Sequence, residues 1–188
     1  MGWDVLATDL PDVIESVLSD NIAKNTPNLP LGSGMIQVRA LDWTVPHDLW
    51  SWDNDSTIAS PTGVIPSHAP ADGVSRLGPP FDLVITADTV YSPALAQPLV
   101  LTLKALSELS QYQSSSGSVR YPPIYVCLER RDPNLVDQTL ALAGEMGAFA
   151  AKRIPPNKVA QAMDKGGLLW DREDWDGVEI WTLTRKSR

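Results

Sequence analysis

Residues 81–91 read FDLVITADTVY. Phe81, Leu83, Val84 and Ile85 form a short apolar run directly after Gly78-Pro79-Pro80, the mark of a strand buried on both faces of a mostly parallel sheet. The run ends at Asp88, and Ser92-Pro93 then opens a leucine-rich helical pattern. Open α/β sheets bind ligands where strands end and helices begin, so a carboxylate and a phenol stand at a chemically useful exit. Position alone leaves a second reading equally open, in which Asp88 caps the turn and Tyr91 packs.

Similar units lie on either side. Asp4–Thr8 is a strand candidate followed by Asp9, and Leu10-Pro11 starts a helix carrying Val13, Ile14, Val17, Leu18 and Ile22, with proline in the first turn where its missing N–H is not needed. A second strand is expected over Met35–Ala40, ending in Leu41-Asp42-Trp43. Leu49-Trp50 reads as a short structured piece, and residues 53–79, rich in Pro, Gly, Ser, Asp and Asn, as a flexible surface insertion. Beyond Tyr91, Leu95, Leu99, Leu103, Leu106 and Leu109 trace a helix that Ser92 could cap. Pro98 is expected to delay its regular part to about Gln97. Gln111–Gly117 reads as a polar loop, Ile124–Leu128 as a buried strand ending at Glu129-Arg130-Arg131, and Asp132-Pro133 as the cap and first turn of a helix closed by Gly147. Further strands are expected over Phe149–Ile154 and Val178–Leu183, with a short helix near Asn157–Met163. Alternating strands and helices imply a parallel, three-layer α/β sheet.

The chain has 188 residues, 43% of them hydrophobic, enough for one domain with a sizeable core. A formal charge of −8 argues against a nucleic-acid binder and favours encounter with basic partners such as lysine-rich proteins. The single cysteine, Cys127, excludes an intrachain disulfide framework and suits a reducing compartment; inside its apolar run it reads as a small core hydrophobe. No apolar stretch is long enough to span a membrane, and the expectation is a soluble, intracellular protein. His47 and His68 lie in polar segments without paired ligand spacing, so no metal site is expected.

Asp9, Asp42 and Asp88 stand at the ends of successive predicted strands, which suggests a ligand lying across those ends. One carboxylate can accept from both hydroxyls of a ribose, and the next from an adenine amino group with Trp43 packed on the purine. The capping alternative for Asp9 remains open, because Pro11 and Asp12 already make a good helix start.

The stretches LATDLPDVIESVLSDNIAKN, VRALDW, FDLVITADTVYSPALAQPLVLTLKAL and YVCLERRDPNLVD, in this order, resemble the seven-β-strand S-adenosylmethionine-dependent methyltransferases of the lysine methyltransferase group, methyltransferase family 16. ADTVY at residues 87–91 matches that family's D-x-x-Y pattern, and the resemblance covers nearly the whole chain outside residues 53–79. It implies a Rossmann-like three-layer sandwich over residues 1–188 and a protein-lysine N-methyltransferase acting with S-adenosylmethionine. The resemblance carries the ribose hydroxyls to Asp9, the adenine to Asp42 and Trp43, and the methionine portion to Ala87. Asp88 and Tyr91 would line the channel of the acceptor lysine, with Glu129 either facing the substrate or paired with Arg130 or Arg131. Implied partners are basic proteins such as translation factors, ribosomal proteins or chaperones, and the implied location is the cytoplasm, with or without the nucleus.

One part of the family pattern is missing. The family begins with a central strand and a glycine-rich G-x-G-x-G turn at the cofactor, whereas this sequence starts at what corresponds to the second strand. Gly32-Ser33-Gly34 precedes a strand instead of following one and is no substitute. The expectation is an N-terminally truncated form, impaired in cofactor binding. The alternative is a non-catalytic remnant that binds a protein partner through its acidic surface. A nucleotide-binding oxidoreductase is disfavoured, because no G-x-G-x-x-G is present.

Overall fold

Residue contacts divide the chain into two units, Met1–Gly78 and Pro79–Arg188, each described here by itself. The computed structural model describes residues 2–61, 76–115, 117–167, 171–175 and 177–186.

The first unit is built on a parallel sheet of order β1-β2-β3. β1 (Val5–Asp9) and β2 (Ile36–Leu41) run where the hydrophobic pattern put them, with Asp9 level with Ala40. Between them the chain is helical, as α1 (Pro11–Val13), a π-helical stretch Ile14–Leu18, and α2 (Ser19–Asn25). None of its residues is fully buried, and Val17 is exposed. β3 (Thr57–Ala59) falls inside the stretch expected to be an insertion. It is a true sheet member beside β2, with Ile58 wholly buried. Only three residues long, it is too short to show alternation. Residues 62–75 of the expected insertion lie outside the described residues. The core of this unit is Leu41, Val45, Ile58 and Ala59, with Leu6, Trp43, Trp50 and Trp52 packed against it.

Arg39 is also buried in this unit, at 1% exposure. Its Nη1 donates to the carbonyls of Trp52 and Asn54, and its guanidinium lies 5.8 Å from the centre of the Trp52 ring. Burial holds its pKa below the usual arginine value, with the Asp55 charge opposing and the Arg76 charge reinforcing the shift.

The second unit carries a mixed sheet of order β4-β7-β9-β8. β4 (Val84–Ala87) and β7 (Ile124–Glu129) are parallel, whereas β9 (Val178–Arg185) runs antiparallel to both β7 and β8 (Phe149–Arg153). The expectation of an all-parallel sheet is therefore corrected: β8 and β9 are joined through α5 (Pro156–Gly166) and a short 3-10 turn, Arg172–Trp175, and return beside each other in opposite directions. β4 is also less buried than its apolar run suggested, with Ile85 66% exposed. Among the described residues it is the edge strand of its sheet, paired with β7.

α3 spans Pro93–Leu109 with Pro98 inside it, so the helix is not delayed to Gln97. Pro98 falls early in the helix, and the carbonyl it leaves without an N–H partner belongs to Ala94, an exposed residue that water can reach. Ser92 occupies the N-cap position but makes no side-chain capping bond. Asp132 does cap α4 (Pro133–Glu145), accepting from the amides of Asn134 and Leu135 at 3.0 and 3.1 Å. α3 and α4 cover the face of β7 formed by Ile124, Val126 and Leu128, and Leu99, Val100, Leu103, Leu135, Val136 and Ala143 complete that core. A hairpin, β5 (Tyr112–Gln113) and β6 (Val119–Arg120), replaces the polar loop expected after α3. Its strands have two residues each, below the length at which a period of two is visible.

Candidate functional site

In the first unit the carboxyl ends of β1 and β2 bring Asp9 and Asp42 to neighbouring strand ends. Asp9 is exposed, and its Oδ1 accepts from the Leu10 amide at 2.8 Å. The carboxylate does not cap the helix, because Leu10 occupies the N-cap. Asp42 Oδ1 accepts from the Thr44 amide at 2.8 Å and from Thr44 Oγ1 at 2.6 Å, a local turn that fixes its side chain. Among the described residues no hydrogen bond reaches Oδ2 of either residue, which leaves an oxygen on each for further acceptance. Trp43 is half-buried and packs on the Leu41–Val45–Ile58–Ala59 core. One side of its indole is therefore committed to the fold.

In the second unit, Ala87 ends β4 level with Cys127, and the chain turns through Asp88-Thr89-Val90-Tyr91 into α3. The turn is made at Asp88, whose φ is +53°. A left-handed backbone is unfavourable for a residue with a side chain, and strain of this kind gathers at functional positions. The Asp88 amide donates to the Cys127 carbonyl at 2.9 Å, which locks the strained residue to β7. Thr89 Oγ1 donates to Thr86 Oγ1 at 3.2 Å and steadies the turn. Asp88 and Tyr91 are both largely exposed, Tyr91 at 60%.

Arg131 joins the acids of these strand ends. Its Nε donates to Glu129 Oε2 at 2.7 Å, and its Nη1 lies 3.8 Å from Asp88 Oδ2. Of the two readings of Glu129, the pairing with Arg131 is the one observed. The sequence offered Arg131 as a partner of Glu129; its reach to Asp88 was hidden because β4 and β7 are joined only in three dimensions. The hydrogen bond and charge of Glu129, with the charge of Asp88, raise the Arg131 pKa. Desolvation, and then the negative charge of Asp88, push the Cys127 thiol up, which keeps it protonated at neutral pH and supports its reading as a packing residue.

Behind this edge, Glu179 on β9 is 95% removed from solvent, its side chain being only 5% exposed. It accepts from Arg130 Nε at 2.9 Å and Trp181 Nε1 at 2.8 Å, with Arg153 Nη1 at 3.2 Å. Arg130 continues to Asp137 on α4 at 2.9 Å. These bonds tie β7, β8, β9 and α4 together beneath the Glu129–Arg131 turn.

Among the described residues, no group of three or more His, Cys, Asp or Glu side chains could hold a metal ion, and no helix is long and apolar enough to cross a membrane. Comparison with known proteins finds no family model and no curated protein that matches the chain.

Proposed function

We propose that the chain is an S-adenosylmethionine-dependent methyltransferase whose acceptor is a protein lysine. The observation that carries this reading is Asp88: a carboxylate held in a strained left-handed turn at the carboxyl end of a parallel strand, inside the ADTVY motif. Further support comes from the sheets taken singly. β1, which ends in Asp9, pairs in parallel with β2, and β4, which leads to Asp88, pairs in parallel with β7, so each acid stands at the carboxyl end of a parallel strand, where open α/β sheets bind ligands.

The residues at the strand ends fit the cofactor in kind. Asp9 retains a carboxylate oxygen for ribose hydroxyls, and Asp42 retains one for an adenine amino group, with Trp43 beside it. Ala87 has no bulk to obstruct the methionine portion. When bound, S-adenosylmethionine would supply an electrophilic methyl group. The acceptor must then be a neutral amine with its lone pair aimed at that carbon. Asp88 accepts an N–H of the amine and stabilises the positive charge that grows on nitrogen. A bare carboxylate also favours the unreactive ammonium form, and Arg131 beside Asp88 reduces that bias. Tyr91 contributes an exposed phenol to the same turn. The acidic surface favours basic proteins as substrates, with a cytoplasmic or nuclear setting.

A calorimetric titration with S-adenosylmethionine tests the cofactor half of this reading. Weak but saturable binding is expected, in keeping with the impaired cofactor binding anticipated from the sequence, and it should weaken about tenfold further in Asp9→Ala, since a hydrogen bond to a charged group is worth about 1.5–3 kcal/mol. A folded chain that gives no saturable heat would overturn it and leave the protein-binding alternative, for which the exposed Ile85 of β4 is the favouring observation. Methyl transfer to lysine-rich proteins, lost in Asp88→Asn, tests the acceptor half.

A further inference from the structure

At the opposite end of the second unit's strands from Asp88 and Glu129, a recess of about 1000 Å³ opens to solvent. Its walls come from α3, the β5–β6 hairpin, the segment leading into β7 and the end of β9. The chain is acidic, at −8 overall, yet the described residues of this recess include Lys104, Arg120, Arg185 and Lys186 against one carboxylate, Glu108.

The four cations are not equivalent. Arg185 is built into the wall: Nη2 donates to Glu108 Oε1 at 2.8 Å, Nη1 to the Gly147 carbonyl, and the guanidinium lies 5.4 Å from the centre of the Tyr121 ring. Lys186 Nζ donates to the Gly144 carbonyl at 2.9 Å. Lys104 and Arg120 make no ion pair among the described residues, although Lys104 is half-buried. They stand on separate walls, Lys104 on α3 and Arg120 on β6. Arg120 sits directly across the hairpin from Tyr112, so both side chains emerge on one face. Tyr112 is half-exposed there, and Tyr121 and Pro122 add apolar wall.

We propose that this recess binds an acidic peptide segment of a partner protein. Two cations on separate walls, neither ion-paired among the described residues, suit two carboxylates, one for each wall. A single phosphate would draw both cations to one point. The tyrosine and proline surfaces give apolar contact between the charged ends, and the volume lies at the upper end of small-molecule sites, with room for several residues of extended chain. A long nucleic acid is disfavoured by the net negative charge of the molecule. The proposal does not depend on methyl transfer, because none of these residues belongs to the strand ends carrying Asp9, Asp42 or Asp88.

Fluorescence anisotropy with a labelled Glu-rich peptide containing one tyrosine tests it, with the Gln-for-Glu peptide as control. The full chain should bind the acidic peptide saturably and the Gln peptide at least about tenfold more weakly, and binding should weaken as salt screens the charges. Lys104→Gln and Arg120→Gln should each weaken binding about three- to fivefold, the size of a partly exposed ion pair. Neither side chain holds a hydrogen bond or ion pair among the described residues, so both variants should keep the wild-type circular dichroism. Asp88→Asn should bind the peptide as wild type does. Equal affinity for both peptides, or no change in either cation variant, would overturn the proposal. Tighter binding of tripolyphosphate than of the peptide, lost in the same variants, would overturn the peptide assignment and make the recess a phosphate site.

Discussion

A residue in an unfavourable conformation separates a structural from a functional role more sharply than one at ease. Asp88, at φ +53°, can be relieved by glycine, which adopts this backbone freely. Its pairing with Arg131 is long and exposed, worth about 0–1 kcal/mol. Asp88→Gly should therefore match wild-type stability to within about 1 kcal/mol in urea unfolding, while Asp88→Ala keeps the strain and loses the carboxylate. A larger loss in the glycine variant would mean that the carboxylate holds the fold. Glu179 is the opposite case. Burial pushes its carboxyl up, but hydrogen bonds from Arg130 and Trp181 and the charges of Arg130 and Arg153 outweigh this and hold it below the usual carboxylate range. A lowered folded pKa contributes stability that is present above the unfolded value of about 4.3 and is lost as pH falls through the folded value. Glu179→Gln should accordingly cost about 2–4 kcal/mol at pH 7, with the difference from wild type closing below about pH 4 as the native carboxylate protonates. A gap unchanged at low pH would contradict the ionic account. Asp9, Asp42 and Asp88 could be read from sequence because an apolar run followed by an acid is a local pattern. Glu179 could not, since its partner Arg130 lies 49 residues away.

Elements were legible in proportion to their length. α3 and α4, with 17 and 13 residues, carry enough turns for a period to be counted, and Asp132-Pro133 marked the start of α4. β3, β5 and β6 are too short for that, and only pairing reveals them. The end of α4 shows how local chemistry can mislead by one position. Gly147 was expected to close the helix, yet the left-handed residue is Ala148, at φ +53°. Gly147 serves close approach instead: a Cβ there would fall 2.5 Å from Phe149 Cδ2 and 2.8 Å from the Ala143 carbonyl oxygen. Phe149 is 1% exposed at the head of β8 and cannot move aside freely. Gly147→Ala should destabilise the protein by about 1–3 kcal/mol, as overpacking does, and thermal unfolding would record it. Ala148→Gly, which relieves the backbone, should be neutral or stabilising. The reverse order of effects would assign the conformational demand to the wrong residue.

At the scale of the molecule, the division into Met1–Gly78 and Pro79–Arg188 makes stability unequal along the chain. Among the described residues, the buried apolar side chains of the first unit are Ala40, Leu41, Val45, Ile58 and Ala59, and its helical run contributes none. The second unit buries Leu99, Val100, Leu103, Ile124, Val126, Leu128, Leu135, Val136, Phe149 and Leu183, each large side chain worth about 1.5–3 kcal/mol when removed from water. Length and composition report the total apolar content, while its partition between the two units depends on which strands pair. A chain below about 80 residues rarely draws more than about 3–5 kcal/mol from a single core, and two of the five buried apolar side chains among the described residues of the first unit are alanine. Fragment 79–188 expressed alone should therefore give a cooperative thermal transition by circular dichroism, and fragment 1–78 a shallow, non-cooperative one. A cooperative melt of residues 1–78 would show that the helix from Pro11 to Asn25 finds burial in isolation. A structureless 79–188 fragment would show that the open edge at β4, where Ile85 is exposed, must be covered before the sheet can form.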